Sequence, residues 1–221
     1  MTKMALFDAQ NGSFSAHMWL YLEILLIDTH PYRYGPVGKV NYTILGEDDT
    51  IKAGDYLFRC ISTPGHTPGS MCLYEPTEKL LFSGDHIICD ITPNISIWFD
   101  TDNPLMDYLN SLDKIYKLDV KLVLPGHREI FNNCRKRIEE LKNHHIMREK
   151  EVLKILNKWP EVTAYFIASH MEWDYAESWD RFPEIQKWFA TRETLAHLRY
   201  LKYKGLIREE QRGNFICYST R

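Results

Sequence analysis

Long apolar runs are scarce in this chain of 221 residues. No stretch approaches the ~20 apolar residues that cross a bilayer, and the most apolar one, Met18 to Ile27, is interrupted by Glu23. A membrane span is therefore not expected. Paired cysteines are lacking too. The five cysteines, Cys60, Cys72, Cys89, Cys134 and Cys217, are odd in number, scattered and without a C-x-x-C. They read as free thiols of a reducing cytoplasm, not as a disulfide framework. An excess of one charge is also missing: 27 Lys and Arg stand against 30 Asp and Glu, a net of −3, which disfavours a strongly cationic nucleic-acid binder. Repeats and low-complexity tracts are absent, and Met1 to Ala5 offers no charged segment leading into an apolar one, so no signal peptide is expected. What remains is 44% hydrophobic and 26% charged, the composition of a soluble globular protein of one large or two small domains.

The chain changes character near residues 134 to 150. Before it, short β-like runs alternate with Gly and Pro; after it, helical spacing dominates until the last fifteen residues. Residues 1 to 149 carry 15 basic and 20 acidic side chains, residues 150 to 221 carry 12 and 10. Two domains are expected, 1–149 and 150–221. In the first, Phe14 to Ile27 reads as an amphipathic helix and Asn41 to Leu45 as a strand. Tyr56 to Ser62 is a further strand, and Met71 to Tyr74 with Lys79 to Phe82 a hairpin. A helix is expected to start at Asn103-Pro104 with Leu105, Leu109, Leu112, Ile115 and Tyr116 as its buried stripe. Lys121 to Leu124 is a short strand, and a long helix covers Cys134 to Lys158. In the second domain, helices are expected at Glu161 to His170, Arg181 to Phe189 and Thr191 to Lys204, capped by Gly205. A hairpin of Leu206 to Arg208 and Phe215 to Ser219 follows. Helices ending in a hairpin give a winged-helix layout.

Three motifs sit just past strand ends: Ser62-Thr63-Pro64-Gly65-His66-Thr67-Pro68-Gly69-Ser70, Phe82-Ser83-Gly84-Asp85-His86 and Leu124-Pro125-Gly126-His127. Each puts one metal-ligand side chain behind a glycine that lets the backbone turn tightly. Strand ends line one edge of a sheet, so His66, Asp85 and His127 can converge. Two imidazoles and a carboxylate suit zinc. The other candidates have plainer readings: Cys89 as a small buried thiol, His86 as a support for Asp85, His144 and His145 as solvated helix histidines, His17, His30, His170 and His197 as ordinary structural residues.

These three motifs, in this order, resemble the later metal motifs of the metallo-β-lactamase superfamily. The resemblance implies an α/β (α+β) fold, a partial αββα sandwich followed by a winged-helix domain. It further implies a zinc-dependent hydrolase in which His66 binds a first zinc, the catalytic Asp85 bridges two ions and His127 binds the second. Asp85-His86 through Ile95 and the helix with His144, His145 and Arg148 are similar to the branch of β-lactamase-like protein 2 and hydroxyacylglutathione hydrolases. The family's H-x-H-x-D-H is not in the sequence, and Asp28-Thr29-His30 does not replace it. The chain is therefore expected to be a truncated or degenerate member that holds one ion weakly, hydrolyses little and self-associates into a homo-oligomer. Expected substrates are a small-molecule ester or thioester, or RNA. The competing expectation is a non-catalytic binding module. In it Arg192, Arg199 and Lys202 of the winged helix would touch nucleic acid, although Glu193, Glu209 and Glu210 dilute that charge.

Overall fold

The computed structural model describes Met4–Leu6 as a strand and residues 43–98, 103–175 and 177–221 in full. The expected helix from Phe14 to Ile27 lies outside them. By internal packing the chain divides into two units, Met1–Gly46 and Glu47–Arg221. In the first, β1 (Met4–Leu6) and β2 (Thr43–Leu45) form an antiparallel pair.

The second unit is built on a five-stranded sheet. β3 (Thr50–Ala53), β4 (Tyr56–Ser62), β5 (Met71–Glu75) and β6 (Leu80–Gly84) pair antiparallel in that order. β7 (Leu122–Pro125) joins β6 in parallel. Three strands, β4, β6 and β7, thus run the same way and end along one edge. The crossover between β6 and β7 contains α1 (Pro104–Tyr116). Asn103 caps it, its side chain accepting from the Met106 amide, and Pro104 fills the first turn, where no amide donor is required. Its stripe of Leu105, Tyr108, Leu112 and Ile115 packs on Ile61, Cys72, Leu81 and Val123 of the sheet. Tyr108 belongs to that stripe, whereas Tyr116, expected in it, is 38% exposed.

α2 (Cys134–Lys158) has the bounds the sequence predicts. Ile138 and Leu141 enter the sheet's core, while Val152, Ile155 and Leu156 enter a second cluster with Ile167, Leu198 and Tyr218. Beyond it lie β8 (Val162–Thr163), α3 (Ala164–His170), a 3-10 turn (Trp179–Arg181), α4 (Glu184–Tyr203), β9 (Ile207–Arg212) and β10 (Phe215–Thr220). The last three strands form a sheet in the order β8-β10-β9. Two helices differ in extent from those expected. The helix read from Glu161 starts at Ala164, because Thr163 caps it by accepting from the Phe166 amide, which leaves Val162 and Thr163 to pair with β10. The two helices expected on either side of Ala190 are one. Thr191 and Thr194 donate their hydroxyls back to Lys187 and Ala190 carbonyls, so these residues sit in an unbroken helix. Among the described residues no helix is long and apolar enough to cross a membrane.

Candidate metal centre

The three predicted donors sit together at the shared edge of β4, β6 and β7. His66 Nε2 lies 4.0 Å from Asp85 Oδ2, and His127 Nδ1 is 2.6 Å from Asp85 Oδ1. Asp85 is central, with a histidine on each carboxylate oxygen. His66 and Asp85 are largely buried, whereas the His127 side chain is 62% exposed.

Each donor is held by local chemistry. After β4 the chain folds on itself: the Thr63 amide donates to the Ser70 carbonyl, and the Thr67 and Ser70 hydroxyls share a 2.8 Å hydrogen bond. The threonine and serine of this motif therefore close the loop, leaving His66 as its chemical group. Gly65 lies against α1; a Cβ there would stand 2.5 Å from Tyr108 Cβ, and its φ is +146°. Ser111 of α1 donates to the Pro64 carbonyl and Tyr108 donates to the His86 carbonyl, so one helix braces two donor loops. Gly126 packs closely as well: a Cβ there would meet Asp85 Oδ1 at 2.7 Å. Its amide donates to the Gly84 carbonyl at 2.7 Å, joining the second and third motifs directly. Beyond His127 the loop is closed by paired backbone bonds between Val123 and Phe131.

The His66 ring is oriented by its far nitrogen. Nδ1 lies 2.7 Å from the Asn94 carbonyl, which only accepts, so Nδ1 carries the proton and Nε2 faces Asp85 with its lone pair. Burial lowers the His66 pKa; the Asn94 carbonyl and the Asp85 charge oppose this. A neutral imidazole with its lone pair turned inward is the form that binds metal.

The donors fit a zinc ion in kind and not in number. Two donors of one zinc stand about 3.3 Å apart at the tetrahedral angle and at most about 4.2 Å apart in a line. The 4.0 Å between His66 and Asp85 falls inside that limit, so a small closing movement would let both reach one ion. His127 already bonds Asp85 through Nδ1. Among the described residues no three His, Cys, Asp or Glu side chains are gathered tightly enough to hold an ion as they stand.

Other candidates fall elsewhere. His86 is turned into the interior, edge-on to Tyr108 with ring centroids 5.0 Å apart, and burial drives its pKa down to about 3. His145, expected to be solvated, is fully buried between Tyr108 and His197. Cys89, expected to be buried, is half-buried and bonds Asp90. Arg192 lies over the Trp188 ring at 4.7 Å, and Lys202 pairs with Glu209. Arg199 is on the same helix, half-buried. A cavity of about 460 Å³ lies at the opposite end of β7, lined by Asp119, Lys121, Asn133 and Arg135, away from the donors.

Several positioning residues were not legible in the sequence. Asn94, Tyr108, Ser111 and Arg137 act from loops or helix faces whose partners lie 22 to 49 positions away. Arg137 of α2 donates to the carbonyls of Ile88 and Ile91, fixing the segment that follows Asp85.

The profile of the metallo-beta-lactamase superfamily matches residues 4–127. The chain is 32% identical over 120 residues to "Beta-lactamase-like protein 2 homolog" of Caenorhabditis elegans, a match covering 54% of this chain and 37% of that protein. It is 36% identical over 92 residues to "Acyl-coenzyme A thioesterase MBLAC2" of Gallus gallus, covering 40% of this chain and 32% of that one. The solved structure of a beta-lactamase domain protein from Burkholderia ambifaria superposes with a TM-score of 0.71 at 31% identity, covering 82% of this chain and 53% of that one. The chain thus spans about a third of the length of these curated relatives and about half of that structure.

Proposed function

Because the chain belongs to the metallo-beta-lactamase superfamily, we propose that it forms the His66, Asp85 and His127 part of a zinc-dependent hydrolase site acting on thioesters of the acyl-coenzyme A kind. The observation that carries this is the convergence of the three donors at one sheet edge, with Asp85 between two imidazoles. Thioesters are favoured over other esters and RNA by the resemblance to a protein named as an acyl-coenzyme A thioesterase.

His66 Nε2 and Asp85 would hold an ion, with His127 joining once its Nδ1 leaves Asp85 or its ring turns. A bound zinc polarises a carbonyl and makes its water acidic near neutral pH. The chain's own residues do the rest. Asn94 keeps the His66 proton on Nδ1. Tyr108, Ser111 and Gly126 keep the donor loops from drifting apart. Exposed His127 leaves the outer side of the site open to substrate. Residues 1–149 are read as the part carrying the site and 150–221 as a winged-helix arm. Lys202 and Lys204 of that arm pair with Glu209 and Glu149, which weakens the case for RNA as the substrate.

With three donors, the 221-residue polypeptide is expected to bind zinc weakly and to turn over slowly. Calorimetric zinc titration of purified, chelator-treated polypeptide, with and without Asp85→Asn, tests this. Weak binding lost in Asp85→Asn is the expected result; two tightly held ions per chain, or binding indifferent to Asp85, would overturn it. Hydrolysis by the zinc-loaded polypeptide should favour an acyl-coenzyme A over p-nitrophenyl acetate and bis-p-nitrophenyl phosphate, and the reverse order would remove the thioester assignment.

A further inference from the structure

The Asn94 carbonyl that fixes the His66 tautomer belongs to a residue pinned at both ends of its side chain. Asn94 Nδ2 donates to Glu193 Oε2 at 2.7 Å, and Asn94 Oδ1 accepts from the buried Ser96 hydroxyl. Two residues further on, Trp98 Nε1 donates to the His66 backbone carbonyl at 3.1 Å. The segment from Asn94 to Trp98 therefore grips His66 by its ring and by its backbone. Glu193 comes from α4, 99 positions away from Asn94.

We propose that Glu193 and Asn94 are positioning residues that set the tautomer and direction of the His66 ring, so that a helix of the C-terminal part governs a donor at the sheet edge. An asparagine held by both polar atoms cannot rotate about its side-chain bonds, so its Cα and the following peptide are fixed in direction. The carbonyl of that peptide then offers His66 Nδ1 an acceptor in one place only. Ligating histidines commonly have their second nitrogen fixed in this way, and loss of the fixing group costs about 10–100-fold in metal affinity. Glu193 is suited to the task in either protonation state. Burial pushes its carboxyl up to about 7, against the pull of Arg148 and the Asn94 amide, and a protonated carboxyl still accepts through its carbonyl oxygen. A glutamine can do the same.

This inference rests on the reading of His66 as a zinc donor for its consequence, but its test begins without metal. The full 221-residue chain, labelled with nitrogen-15 in its histidines and kept metal-free, is read by long-range proton–nitrogen correlation. His66 of the unaltered chain should show the proton on Nδ1. Glu193→Gln should keep that pattern, because the amide oxygen still accepts from Asn94. Glu193→Ala and Asn94→Ala should each shift His66 toward a mixture of tautomers and lower zinc affinity about tenfold. Thermal melts show whether each variant folds, and Asn94→Ala keeps the test available if Glu193→Ala does not. A purely structural anchor would lower the melting temperature and leave the tautomer alone. An unchanged His66 pattern in the folded alanine variants, or loss of it in Glu193→Gln, would overturn the inference. Absence of zinc binding in the unaltered chain would instead overturn the proposed metal centre, with the tautomer result still standing.

Discussion

At the residue scale, two glycines give separable predictions. Gly65→Ala drives a Cβ into the backbone and Cβ of Tyr108 at 2.6 and 2.5 Å and asks an L residue to hold a φ of +146°. Neither α1 nor the loop can move without opening the core, so the loss should be roughly 3 kcal/mol, read as a lower urea midpoint at unchanged slope. Gly126→Ala meets mainly the end of a side chain, Asp85 Oδ1. Asp85 can swing aside, so stability should fall by only about 1 kcal/mol, while its carboxylate leaves its place between the two imidazoles and zinc affinity drops about tenfold or more. Equal affinity in Gly126→Ala and the unaltered chain would show that Asp85 does not need its present place.

At the scale of elements, the contact of α1, α2 and α4 contains a file of rings. Tyr108, His145 and His197 follow one another at centroid spacings of 5.4 Å, and the facing nitrogens of the two histidines are 3.5 Å apart. Burial lowers the His145 pKa to about 3 and that of His197 well below its usual value; neighbouring His144 and Arg148 push the same way. Both histidines are therefore neutral when folded and take up protons on unfolding. Their contribution is complete above the unfolded pKa of about 6.5 and is lost below it, by about 1.4 kcal/mol per pH unit for each histidine. His197→Leu should flatten the fall in stability between pH 6 and 4 in urea melts; parallel curves would refute this role. The same helices show what the sequence disclosed. Asn103-Pro104 announces α1 because capping and proline geometry are local. The bounds of α2 are legible for a similar reason, with the helix ending just before Trp159-Pro160. β3 is not legible, since its four residues are mostly exposed and gain their strand character from pairing with β4. His145 reads as a surface residue beside His144 because helical spacing does not say which neighbour arrives from 52 positions away. His66, Asp85 and His127 were readable because each follows its own glycine turn. Glu193, whose work lies in another element, was not.

At the scale of the whole molecule, the two apolar clusters are joined by α2 and α4. Ala196 of α4 belongs to the sheet's core, and Leu198 and Leu201 to the second cluster. Leu198→Ala should cost roughly 2–5 kcal/mol, and with shared helices it should lower one cooperative transition for both clusters. Two resolved transitions in calorimetry would count against such coupling. The parallel pairing of β6 with β7 adds a consequence in time. β3 to β6 can zip as neighbouring hairpins, but Asp85 and His127 lie 42 positions apart, and Asn94 and Glu193 lie 99 apart. Closing such loops costs entropy before any contact rewards it. During refolding, secondary structure should recover first and zinc capture should lag, because the last pieces of the chain to arrive are the ones that aim its donors.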